Sequence, residues 1–152
     1  MRNLTTIASV DIDADTCVWG FGGSGGTVEI TSSESFLYQH QFEYLGDRML
    51  VFDNNGAGGF ESRVLEYRFD PDAGTAELVR VIQRGLFSFI LGDVHRLDDG
   101  DTLITWSVPD TVERITEDDN VVWSLTADDD DLIFGFTEVA LDPARPDLGV
   151  MH

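Results

Sequence analysis

The strongest constraint on this chain is its rhythm. Short runs of β period are broken by Asp, Gly and Asn turns, with almost no helical period along 152 residues. Runs at 7–13, 17–21, 36–45, 48–53, 62–70, 76–83, 92–97, 102–106, 111–116 and 120–125 read as strands. Between them stand hairpin signals such as Gly46-Asp47, Asp70-Pro71-Asp72-Ala73-Gly74 and Asp98-Asp99-Gly100-Asp101. The fold class that follows is all-β, built from antiparallel neighbours.

The runs also recur. Leu45 to Phe52 is answered by Leu97 to Trp106, and Val64 to Arg68 by Val112 to Ile115. A period of about 50 residues suits the four-stranded antiparallel blade of a β-propeller. The chain reads as one partial propeller domain over 1–152. The end of one blade occupies 1–30, one blade 36–83, another 92–126, and the start of a further blade or a tail 132–152. Closed rings hold about 4–8 blades, so a large part of a ring is missing. Either two copies associate to close it, or the chain is a portion of a longer propeller; the repeat count favours the portion.

Composition narrows the partners. The net charge is −20, from 20 Asp and 9 Glu against 9 Arg and no Lys. Nucleic acid is excluded as a partner, because phosphate binding needs a cationic face. Disorder is excluded as well, since 42% hydrophobic and 11% aromatic content can build a core. The acidic surface is read as adaptation to a salt-rich, halophilic setting, where charge repulsion is screened. No secretory apolar segment opens the sequence, and no apolar run approaches the ~20 residues of a membrane span. Cys17, the single cysteine, is expected as a small buried residue.

The side chains with chemistry gather in one stretch: Tyr38-Gln39-His40, then Val51-Phe52-Asp53-Asn54, then Ser62-Arg63-Val64-Leu65-Glu66-Tyr67. His40 is expected at the start of an inner strand, where a propeller presents its ligand-binding mouth. A neutral imidazole there is a nucleophile, so acid should lower its activity. Arg63 can offer a bidentate guanidinium to an oxyanion, or pair with one of the many acids. Asp53 and Asn54 either bind a ligand or close a turn with their own backbone. His95 aligns with Glu43 in the repeat and is read as structural or channel-lining. Asp11-x-Asp13-x-Asp15 lacks the Gly and Glu of a calcium loop, so neither a metal nor a cofactor is expected.

These three segments, within a match running from about Phe36 to Trp123, resemble the bacterial and archaeal arylsulfotransferase family. The resemblance implies a six-bladed propeller of which about half is present. It further implies transfer of sulfate from an aryl sulfate to a phenol, without a nucleotide sulfate donor, through a sulfohistidine. That role falls to His40; Arg63, Asp53 and Asn54 stand as substrate-binding candidates on their own chemistry. The family's other sulfate- and phenol-holding groups come from blades preceding this stretch. Two alternatives stand beside this reading: a non-catalytic propeller module that binds a ligand or protein, and an inactive portion of the enzyme.

Overall fold

Asp, Gly and Asn turns convert the β runs into a chain of hairpins. In the computed structural model, residues 5–23, 25–54, 61–127 and 133 are described. They form ten strands: β1 (Ile7–Asp11), β2 (Thr16–Phe21), β3 (Phe42–Tyr44), β4 (Arg48–Asp53), β5 (Arg63–Asp70), β6 (Thr75–Gln83), β7 (Asp93–Arg96), β8 (Thr102–Trp106), β9 (Thr111–Ile115) and β10 (Val121–Thr126). Strands β1 and β2 make a two-stranded hairpin, while β3 to β6 and β7 to β10 make two four-stranded sheets. Every pairing within these sheets is antiparallel between chain neighbours. The architecture is all-β, and no barrel closes among the described residues.

The turns follow the side chains that can bond their own backbone. Asp11 Oδ1 accepts the Asp13 and Ala14 N–H groups at 3.0 and 2.9 Å, closing the β1–β2 turn. Asp70 Oδ1 accepts the Ala73 N–H at 2.9 Å between β5 and β6. These are Asx turns, in which a short carboxylate replaces a backbone acceptor.

Strand alternation then sorts the core into two layers. Met49 and Val51 of β4 face one way, with Leu65, Tyr67 and Phe69 of β5. They meet Ile7 and Phe21 of the first hairpin, and Val28 and Phe36 from the connection after it. Leu50, Phe52 and Val64 face the opposite way, against Val94, Ile104, Trp106 and Ile115 of the last sheet. The β3–β6 sheet is therefore covered on both faces, which is why Met49 to Phe52 is an unbroken apolar run. Each fully buried side chain of this size contributes about 1.5–3 kcal/mol. Strand β7 approaches both β3 and β4, so the first strands of the two sheets lie side by side.

Three expectations need correction. The strand foreseen at 36–45 is observed only as Phe42–Tyr44, because Tyr38 takes a left-handed φ of 58° and breaks the extended chain. His40 consequently precedes β3 rather than opening it. Cys17 is exposed, not buried, since it lies on a hairpin strand whose first residues face solvent. The further blade or tail expected at 132–152 falls outside the described residues, Ile133 excepted.

Candidate functional site

One end of the two large sheets gathers the polar groups singled out above. The approach to β3, the end of β4, the start of β5 and the connection from β6 to β7 all meet there. His40 is held by backbone on one side: its N–H donates to Phe52 O at 3.1 Å, and the Phe52 N–H donates to Gln41 O at 2.9 Å. On the other side its ring Nδ1 lies 3.0 Å from Gly92 O. A carbonyl only accepts, so in the neutral ring Nδ1 carries the proton and Nε2 keeps its lone pair. The ring is half-buried, reachable from solvent but fixed on the protein side. Neighbouring Gln39 is buried and donates from Nε2 to Thr6 O at 3.1 Å, anchoring the segment to the chain before β1.

Gly92 can serve His40 only as glycine. Its φ is +107°, and a Cβ there would stand 2.1 Å from Cε1 of Phe52. Leu91 before it is also left-handed, at φ 61°. Two consecutive residues in that region turn the peptide so that the Gly92 carbonyl reaches the ring.

Asp53 and Arg63 face each other across β4 and β5. Arg63 Nε donates to Asp53 Oδ2 at 2.9 Å, with the two side chains 11% and 0% exposed. The other Asp53 oxygen, Oδ1, accepts the Leu37 N–H, and Arg63 Nη2 donates to Ser35 O, both at 2.9 Å. The pair thus clamps the 35–37 segment, just before His40, onto the sheet. Beneath it the Tyr67 hydroxyl donates to Glu34 O at 2.5 Å. Burial, with the Asp53 carboxylate adding to it, pushes this phenol far above its ordinary pKa, against a smaller opposing pull from Arg63.

Asn54 is fully buried and turned away from solvent. Its Nδ2 donates to Ser88 O at 2.7 Å and to Leu91 O at 2.6 Å, holding the β6–β7 connection. Ser62 completes the bracket: its N–H donates to Leu86 O, and its Oγ accepts the Ser88 N–H, both at 2.9 Å. Sequence reasoning gave Ser62 no role and missed Ser88 and Gly92. The only signals for them were a serine before Arg63 and a Leu-Gly step before β7.

His95 is not part of this group. It stands between two carboxylates, with Nε2 3.1 Å from Asp93 Oδ2 and Nδ1 3.9 Å from Glu43 Oε1. His95 lies opposite Leu103 and Glu43 opposite Leu50, the same register position on adjoining strands. Among the described residues, no cluster of three or more His, Cys, Asp or Glu side chains could hold a metal ion. A groove of about 190 Å³ lies at the other end of the sheets, lined by Arg48, Glu66, Arg80, Arg96 and Glu117. Its cations are answered by nearby acids: Glu66 binds Arg96 at 2.6 Å, and Asp119 binds Arg80 at 2.7 Å.

Residues 1–128 match the family model described as Arylsulfotransferase (ASST). The chain belongs to the arylsulfotransferase family. No curated protein matched it. The arylsulfotransferase match spans His40, Asp53, Asn54, Arg63 and the whole bracket of carbonyls behind them.

Proposed function

We propose that this arylsulfotransferase-family chain transfers sulfate from an aryl sulfate to a phenol through a covalent intermediate on His40. The observation that carries the reading is the Nδ1···Gly92 O contact at 3.0 Å. With Nδ1–H donated to a carbonyl, Nε2 is the nitrogen that attacks sulfur, and the aryl–oxygen–sulfur bond breaks to release a phenolate. The ring then carries a sulfonate on Nε2 and a positive charge, which the Gly92 carbonyl dipole stabilises through Nδ1–H. Attack by the acceptor phenol's oxygen on sulfur expels neutral imidazole, and the acceptor's proton leaves to solvent. Tyr38, two residues before His40, and Phe89, three before Gly92, are exposed aromatics that supply apolar surface for an aryl ring.

In this reading Arg63 and Asp53 form the frame of the site rather than its sulfate contact, because each is already bound within the protein. The two four-stranded sheets are read as neighbouring blades of a propeller, with β3 and β7 as inner strands and other blades completing the ring.

One observation favours a second reading, a non-catalytic or inactive portion. All seven arginines among the described residues sit in ion pairs. None of those guanidiniums is uncommitted to a carboxylate, and oxyanion stabilisation is usually the largest catalytic term. Turnover of p-nitrophenyl sulfate with phenol as acceptor, measured for the chain and for His40→Ala, decides between them. Release of p-nitrophenol that requires His40 and accelerates with phenol supports transfer. No release from folded protein supports the inactive portion.

A further inference from the structure

The His40 tautomer depends on where one carbonyl points, and that carbonyl belongs to a connection that could adopt many paths. Near Gly92 the 84–92 segment between β6 and β7 is held by Asn54, which follows β4, and Ser62, which precedes β5. Both Asn54 Nδ2 protons are spent on it, at 2.7 Å to Ser88 O and 2.6 Å to Leu91 O. Because both partners are carbonyls, the amide can be oriented only one way. Its own Oδ1 is buried with no hydrogen-bond partner among the described residues. A buried orphan acceptor is a cost, so it is the two donor bonds that favour an amide at this position.

The bonded Leu91 carbonyl is one peptide away from Gly92. Leu91 holds a left-handed φ of 61°, a conformation that is unfavourable for a residue with a branched side chain. Asn54 supplies the contact that keeps it there. Phe52, whose ring lies where a Gly92 Cβ would be, limits movement of Gly92 from below. Ser62 Oγ, 2.7 Å from Asn54 O and 2.9 Å from the Ser88 N–H it accepts, ties the end of β4 to the same connection.

We infer that Asn54 is a positioning residue for His40, acting through the Leu91–Gly92 peptide to hold Nδ1 protonated and Nε2 free. This rests on the sulfohistidine reading above and assigns Asn54 a task that contact with substrate cannot explain, because its donors are used and it is 0% exposed. A free neutral histidine side chain prefers its proton on Nε2, the wrong nitrogen for attack from that position. Release of the Gly92 carbonyl would return His40 to that preference and silence the nucleophile without touching it.

The test is the tautomer of His40 in the full chain labelled with ¹⁵N-histidine, read from two-bond ¹H–¹⁵N correlations at a pH where the ring is neutral. His40→Gln assigns the signal among the three histidines. In the parent protein the expected pattern is protonated Nδ1 and bare Nε2. In Asn54→Ala the Nε2–H form should become the major one, and kcat for p-nitrophenyl sulfate should fall at least about tenfold, by analogy with groups that orient metal-ligating histidines. An unchanged tautomer in folded Asn54→Ala overturns the inference, whatever its activity. If Asn54→Ala does not fold, Ser62→Ala takes its place. A shift in the same direction supports the inference, and no shift overturns it. The two readings fail separately. A parent protein with the expected tautomer, a shifted tautomer in the variant and no turnover in either retains the positioning and removes the sulfate transfer. Parent His40 protonated on Nε2 removes both.

Discussion

Tyr67 shows how one side chain can report on the whole site frame. Its hydroxyl is buried beneath the Asp53–Arg63 pair and donates to the Glu34 carbonyl. Folding therefore favours the protonated phenol, so the native chain holds this proton more tightly than the unfolded chain. Above about pH 10, where an ordinary Tyr ionises, the unfolded chain loses the proton while the folded chain keeps it. Stability must then fall as pH rises, by up to about 1.4 kcal/mol per pH unit for this group. Urea midpoints of the parent and Tyr67→Phe at pH 8, 10 and 11 measure it. The parent should lose more stability than the variant over the alkaline step. Parallel losses would show that the phenol ionises as easily folded as unfolded. The residue types at this site were legible in the sequence, but their partners were not. His40 bonds a carbonyl 52 positions away, and Asn54 bonds carbonyls 34 and 37 positions away. A backbone oxygen has no identity in the sequence, so the Leu-Gly step before β7 marks a turn there without showing that the Gly92 carbonyl meets His40.

The elements follow the sequence closely except where side-chain contacts bend the chain out of an extended run. Strands β4 and β8 are observed over the runs read from the sequence, 48–53 and 102–106, and both are buried along nearly their whole length. At 36–45 the expected strand is only three residues long, because the clamp on 35–37 and the left-handed Tyr38 bend the chain before β3. That clamp is the cross-strand Asp53–Arg63 pair, and its removal should be felt by the elements it joins. Replacing Asp53 by Ala leaves the Arg63 charge nearly buried and unanswered, at a cost of about 3–5 kcal/mol. Replacing both residues by Met should recover part of that loss, because no uncompensated charge is left behind, while the Leu37 N–H and the Ser35 carbonyl still lose their partners. Urea unfolding of the parent, both single variants and the pair gives the coupling. Equal, additive losses would mean that the two residues act independently. If Arg63 also held substrate, its Met variant would lose turnover beyond what folding explains.

At the scale of the whole molecule, charge is divided between short pairs and a large surplus. The arginines of the described residues are all paired, several of them across the two large sheets: Arg80 with Asp119, Arg84 with Glu113, and Arg96 with Glu66. The chain still carries 29 acidic residues against 9 basic ones, for a net charge of −20. Salt acts on these two populations differently. Paired groups at contact distance, such as Arg96 and Glu66 with side chains 16% and 13% exposed, are only weakly screened. Surplus carboxylates repel one another over longer distances through water, and the Debye length of about 10 Å at 0.1 M shrinks to about 3 Å at 1 M. Screening therefore removes more repulsion than attraction, and salt should stabilise the fold. Thermal unfolding between 0.05 and 2 M KCl is the measurement. Tm should rise by several degrees, with most of the gain complete near 1 M, where the Debye length is already below the spacing of surface charges. A gain that continues in proportion to salt, and that sucrose reproduces, would instead indicate exclusion of cosolute from the protein surface. A Tm that stays flat or falls would mean that the ion pairs between the sheets, rather than the acidic surplus, control the stability of the molecule.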